Sequence, residues 1–134
     1  MILGLHHTAI IISSEAGVDF YKELGFVENN RIYRGYDQIV WLTGYGEKLE
    51  LFIDSSHPVR VTNPEALGLR HLAFEVDDVD AEWERLKQFN PEPIRTKGDG
   101  HKVFFVKDPA RSIKGTTQVK SSSINAFRHF SKVA

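Results

Sequence analysis

The feature that most constrains this chain is an internal echo. His7-Thr8-Ala9-Ile10-Ile11-Ile12 superposes on His71-Leu72-Ala73-Phe74-Glu75-Val76 at an offset of 64 residues. Both segments are β-prone and apolar enough to be half-buried strands. The stretches C-terminal to them are also alike. After the first, Ser13 and Ser14 offer a cap, and Val18, Phe20, Tyr21 and Leu24 fall at helical spacing before Gly25. Strands are predicted over Phe26 to Arg34, Gln38 to Thr43 and Lys48 to Ile53, separated by Gly35-Tyr36-Asp37 and Gly44-Tyr45-Gly46. After the second, Asp77 and Asp78 offer the cap, and Val79, Trp83, Leu86 and Phe89 form the apolar stripe of a helix ended by Pro91 and Pro93. Strands are predicted over Ile94 to Lys97 and Lys102 to Lys107, and Ile113 to Val119 remains β-prone. The spacing of Ile124, Phe127, Phe130 and Val133 predicts a short terminal helix. The expected class is α+β, one domain over residues 1–134, with a first βαβββ module over about 4–53 and a second over about 69–119.

A repeat of this kind has a chemical consequence. Side chains alternate across a strand, so His7, Ala9 and Ile11 share one face, and His71, Ala73 and Glu75 share the matching one. Related strands can therefore present two imidazoles in the same way. Glu50 lies 43 residues after His7, among the apolar residues Leu49, Leu51 and Phe52. A carboxylate in such a setting needs a partner, because burial without one is costly. A metal ion is one such partner. The chain has no cysteine, so histidine and carboxylate are the strong ligands available, a set suited to Zn, Ni, Co, Fe or Mn.

Charge and hydropathy narrow the remaining choices. The formal net charge is -1, with no basic stripe, which gives a nucleic-acid partner little support. No apolar run approaches the roughly 20 residues that span a bilayer, and Met1 to Leu5 lacks the basic leader of a signal peptide, so a cytoplasmic protein is expected. The charge is unevenly distributed. Residues 1–108 carry all the carboxylates and sum to -6; residues 109–134 hold Arg111, Lys114, Lys120, Arg128 and Lys132 and sum to +5. The stretch 110–134 therefore reads as an atypical basic tail.

The chain resembles the vicinal oxygen chelate superfamily, and within it the small bacterial glyoxalase I-like proteins. The resemblance is carried by His6-His7-Thr8-Ala9-Ile10-Ile11, Phe20-Tyr21-Lys22-Glu23-Leu24-Gly25-Phe26, Leu49-Glu50-Leu51-Phe52, Gly68 to Asp78, and Phe104 to Pro109. It implies paired βαβββ modules forming a cupped, barrel-like mixed sheet around a divalent metal ion, in a homodimer acting on a small-molecule substrate. The family pattern selects His7 over His6 and implies His7, Glu50 and His71 as metal ligands, with Glu50 also as the catalytic base. Its fourth, acidic ligand has no counterpart: counting from the family pattern reaches Gly115, and counting by the internal offset reaches Lys114. Three readings of this gap stand. The tail is a replaced or frame-shifted end, or the site has diverged to three ligands completed by water, Gln118 or His129, or the metal has been lost.

The activity implied is that of a metal-dependent lyase or isomerase of the lactoylglutathione lyase type, acting on a small oxygenated substrate and weakened by the missing ligand. The alternatives are a metal-free binding protein of the bleomycin-resistance kind and a relative of the ring-cleaving dioxygenases or fosfomycin-type thiol transferases. Arg34, Arg70, Arg95, His101 and Lys102 are candidates to meet an anionic substrate, though solvated surface charge explains each as well. The Gly98-Asp99-Gly100 loop reads as a lid or as a plain turn, and Trp83 as helix core.

Overall fold

The structure is a computed structural model, and it describes residues 1–61, 63–109 and 116–121, the last stretch as backbone. The terminal helix expected over 124–133, and His129 with it, lie outside the described residues. The chain divides into two compact units. One holds Met1–Pro64 with the described part of Asp108–Ile113; the other holds Glu65–Lys107 with the described part of Lys114–Ala134.

The first unit contains β1 (Thr8–Ile12), α1 (Glu15–Glu23), β2 (Val27–Tyr33), β3 (Gln38–Gly44) and β4 (Glu47–Ile53). Its sheet runs β1-β4-β3-β2, with β1 parallel to β4 and the other neighbours antiparallel. The second unit contains β5 (His71–Val76), α2 (Val79–Arg85), β6 (Arg95–Thr96), β7 (Lys102–Lys107) and β8 (Thr116–Ser121). Its sheet runs β5-β8-β7-β6, again with the first and last strands parallel. Each unit is thus a βαβββ module with the same strand order, as the repeat in the sequence predicts. The helix expected to run to Phe89 is shorter: α2 stops at Arg85, and Lys87–Phe89 forms a 3₁₀ turn closed by Asn90 in the left-handed region, φ 52°.

Alternation decides which face of the first sheet is buried. Ile10, Leu51 and Val40 stand side by side across β1, β4 and β3 and are fully enclosed, while Ala9 and Ile11 on the other side of β1 are exposed. The buried row ends on β2 at Arg31, which reaches up to α1. Its Nη1 and Nη2 donate to Glu15 at 2.8 and 2.7 Å, and its Nε and Nη2 donate to Glu28 at 3.2 and 2.8 Å. Lys22 of α1 adds a third cation-carboxylate contact, 3.0 Å from Glu28. Val18, Phe20 and Tyr21 supply the apolar side of the helix, and each is essentially inaccessible to solvent. The opposite face of the sheet, carrying Ala9 and Glu50, is left open.

The helix ends differ in how they are satisfied. Ser14 sits at the start of α1 in an extended conformation without a side-chain capping bond. Asp78 does cap α2, its carboxylate accepting from the Ala81 amide at 2.9 Å. Asp78→Ala is expected to cost about 1 kcal/mol, seen as a lower urea midpoint at unchanged m-value. Gly25 follows α1 with φ +110°, where an L side chain is strained and would also strike the Tyr45 ring, whose hydroxyl donates to the Leu24 carbonyl. The turn Tyr45-Gly46 therefore fastens the end of α1 as well as joining β3 to β4.

Candidate functional site

The open face of the first sheet gathers the residues on which the functional reading rests. β1 pairs with β4 so that Ala9 stands opposite Glu50, and β4 pairs with β3 so that Glu50 stands opposite Trp41. His7 lies two residues before Ala9 and shares its face. The result is a close contact: His7 Nε2 is 3.1 Å from Glu50 Oε2, with Glu50 15% exposed and His7 33%. The Trp41 ring meets the His7 ring edge-on, with centroids 5.1 Å apart and planes at 73°. On its other side, His7 Nδ1 is 2.8 Å from His6 Nδ1. His7 is therefore gripped at both nitrogens and on its ring, which fixes the direction of Nε2.

The second unit reproduces part of this layout. His71 opens β5 and is half-buried, and the Phe105 ring meets it edge-on, with centroids 5.7 Å apart and planes at 72°. Ala73 stands opposite Gln118, and Gln118 opposite Phe105. Residues 7, 9 and 41 thus map on 71, 73 and 105 at the constant offset of 64. The aromatic pair Trp41 and Phe105 had a signal in the sequence, the same offset as the histidines, that motif reading passes over.

The fourth position needs correction. Counting along the sequence points to Lys114 or Gly115, but the β5–β8 register puts Gln118 where β1–β4 puts Glu50. The reason is the length of one connection. Gly44 and Glu47 of β3 and β4 are joined by two residues, whereas Lys107 and Thr116 of β7 and β8 are joined by eight, and the pairing shifts by four. An amide residue, and no carboxylate, holds the place equivalent to Glu50.

Among the described residues no group of three or more His, Cys, Asp and Glu side chains is arranged to hold a metal ion. The His7–Glu50 pair by itself does fit one. Two donors each about 2.1 Å from a tetrahedral or octahedral ion stand roughly 3.0 to 3.4 Å apart, which brackets the 3.1 Å between Nε2 and Oε2.

The other cations named from the sequence are engaged with carboxylates at the surface: Arg70 with Glu65 at 3.1 Å, Arg95 with Glu92 at 3.0 Å, and Lys102 with Asp80 at 2.5 Å. His101 pairs with Asp99 in the glycine loop, and its backbone amide donates to the same carboxylate. Trp83 Nε1 donates to the Glu92 carbonyl at 2.9 Å, tying α2 to the segment before β6 as a packing residue would.

Two βαβββ modules of identical strand order, in each of which a histidine at the first strand meets an aromatic ring from the third across the last strand, have the architecture of the glyoxalase class of α+β folds. The chain belongs to the Glyoxalase/Bleomycin resistance protein/Dioxygenase superfamily, which it matches over residues 4–112. It is 40% identical to the uncharacterized protein YaeR of Escherichia coli (strain K12) over 120 residues, covering 81% of this chain and 92% of that protein. A glyoxalase family protein from Enterococcus faecalis has a similar structure, with a TM-score of 0.79 and 32% identity, covering 89% of this chain and 98% of that one. The lactoylglutathione lyase of Agrobacterium tumefaciens shares the fold at a TM-score of 0.65 and 22% identity, covering 94% and 98% of the two chains. Members of the superfamily act on small molecules, commonly with divalent metals, and are often dimers. No helix among the described residues is long and apolar enough to cross a membrane.

Proposed function

We propose that this chain is a metal-dependent enzyme of the lyase or isomerase type, with His7, Glu50 and His71 as ligands of a divalent ion and Glu50 as the proton-transferring base. The observation that carries this reading is the 3.1 Å approach of His7 Nε2 to Glu50 Oε2 on an open sheet face, with both groups oriented by their neighbours. The ion, one of Ni, Zn, Co, Fe or Mn, supplies positive charge to the oxygens of a small oxygenated substrate. Glu50 takes a proton from the carbon beside those oxygens and returns it to the neighbouring carbon. His7 holds Glu50 at hydrogen-bond distance and keeps its carboxylate on the open face. Trp41 screens the imidazole from solvent on one edge. In this reading the two modules act as a single domain, and the protein works as a homodimer in the cytoplasm.

With an amide at the register position of the second acidic residue, ion binding is weaker than four strong ligands would give, and turnover of glyoxalase substrates is slow or absent. Metal content decides the matter most directly. Protein purified without added metal and exchanged into chelator-free buffer is expected to hold a transition ion near one per chain by elemental mass spectrometry. His7→Ala, His71→Ala and Glu50→Gln should each lose it, by roughly 100-fold or more in affinity, since each removes a ligand. A native chain that binds none of the five ions at micromolar concentration overturns the proposal. That outcome favours the second reading, a metal-free small-molecule-binding protein of the bleomycin-resistance type, which Gln118 at the position equivalent to Glu50 supports. A lactoylglutathione-forming rate that survives Glu50→Gln would remove Glu50 from the role of base.

A further inference from the structure

The geometry points to Arg34 as an anion-binding group on the same face as His7 and Glu50, so that the substrate carries a carboxylate, or a group of like charge, set apart from its reacting oxygens. The inference rests on the His7–Glu50 pair being the reacting centre. Arg34 follows β2, in the turn where its backbone amide donates to the Asp37 carbonyl at 3.0 Å. Its guanidinium carbon lies 4.9 Å from the centroid of the Tyr36 ring and 5.5 Å from that of Phe52. Phe52 is the next residue after Glu50 on the open side of β4, and residues i and i+2 of a strand are separated by about 7 Å. The Arg34 guanidinium therefore lies near the residue one step along β4 from Glu50.

The contacts that hold the guanidinium there also leave it usable. Nε donates to Asp37 Oδ1 at 2.6 Å, and Nη2 donates to the other oxygen of the same carboxylate. The Asp37 side chain is 6% exposed and that of Arg34 35%, so the carboxylate is the anchor and the cation the accessible partner. Among the described residues Nη1 takes no partner. Arg70, Arg95 and Lys102 differ in this respect, because the carboxylates they meet are themselves 41%, 38% and 62% exposed. The Arg34 pKa is held above its ordinary value by Asp37 first of all, with a smaller contribution from Glu50, consistent with a common face. A planar fork clamped on one edge, flanked by aromatic rings and open at the other end is suited to a carboxylate arriving in its plane. A clamp needed only for the β2–β3 turn would require neither the rings nor the open end.

The test uses the full chain stripped of metal by chelator, so that it is independent of ion binding. 2-Oxoglutarate, which has adjacent oxygens at one end and a second carboxylate several bonds away, is titrated against the native chain and compared with its dimethyl ester. The Trp41 indole N–H resonance is followed by NMR, since Trp41 neighbours Glu50 on the open face. The dicarboxylate is expected to shift that resonance, the ester to leave it unmoved, and Arg34→Gln to weaken binding about tenfold or more. Arg34→Lys should fall between, keeping the charge and losing the fork. Equal binding of acid and ester by the native chain overturns the inference whether or not the variants fold, as does the absence of any shift, or Arg34→Gln binding as the native chain does. An Arg34-dependent shift in a chain that takes up no metal keeps this site and discards the metal reading. Metal uptake with no such shift does the reverse.

Discussion

Gln118→Glu is expected to raise transition-metal affinity by roughly 10- to 100-fold, the scale on which a change in a metal site's ligand environment acts. The reasoning is one of position. Ala73–Gln118–Phe105 is the same cross-strand row as Ala9–Glu50–Trp41, and the acidic member of that row is the one that meets the histidine in the first module. A carboxylate brings a full negative charge and harder oxygen donors, both of which divalent first-row ions prefer to a neutral amide. Lys114→Glu is the informative control. It places a carboxylate where sequence counting alone points, and the register gives it no reason to strengthen binding. Competition against a colorimetric chelator reads both variants. Equal gains from the two, or none from Gln118→Glu, would show that the β8 register does not set the ligand row.

Arg31→Met is expected to be the most damaging single change away from the site, costing about 2 to 3 kcal/mol of stability. This is the range for breaking a buried ion pair, reduced because the Arg31 side chain remains 18% exposed. Its loss leaves Glu15 and Glu28 facing each other with only Lys22 between them. The pH dependence gives a sharper test than the midpoint. Arg31, then Lys22, hold the Glu28 carboxyl well down, to about 2 from the ordinary 4.5, and Arg31 lowers that of Glu15 too. A folded-state pKa below the unfolded one means stability that is complete above pH 4.5 and lost as pH falls toward 2. In Arg31→Met the two carboxylates repel, so protonation relieves strain instead of breaking a contact. The gap between native and variant should therefore narrow steadily over that window in urea titrations. A gap independent of pH would mean that Arg31 contributes through packing alone.

How far the fold could be read from residues depended on what set each element. Both modules were legible because their strands and helices are amphipathic with the right period and are bounded by Gly25, Gly35, Gly46 and Pro91. His7 and His71 were legible because identical residues recur at one offset. Trp41 and Phe105 share that offset but differ in kind, so no identity announces them, and only the edge-on contacts at 5.1 and 5.7 Å reveal their common role. Arg34 was one of five cations of similar appearance; its distinction lies in Phe52 and Asp37, 18 and 3 residues away. Gln118 was already a candidate to complete the site, but its register opposite Ala73 and Phe105 was not legible. Strand pairing across a connection depends on its length and conformation, and periodicity within β8 carries no information about either.

The parallel pairing of β1 with β4 has a consequence for the order in which this molecule comes into being. His7 sits beside the first strand of its module and Glu50 on the last, so the contact between them closes a stretch of more than 40 residues. A growing chain that has produced α1, β2 and β3 possesses the helix and the first hairpin of the module and still lacks this pair. It appears only when β4 has left the ribosome and inserted between β1 and β3. Because such long-range closure is the slow part of folding a mixed sheet, the His7 environment, followed through the neighbouring Trp41 fluorescence, should be among the last signals to reach its native value during refolding.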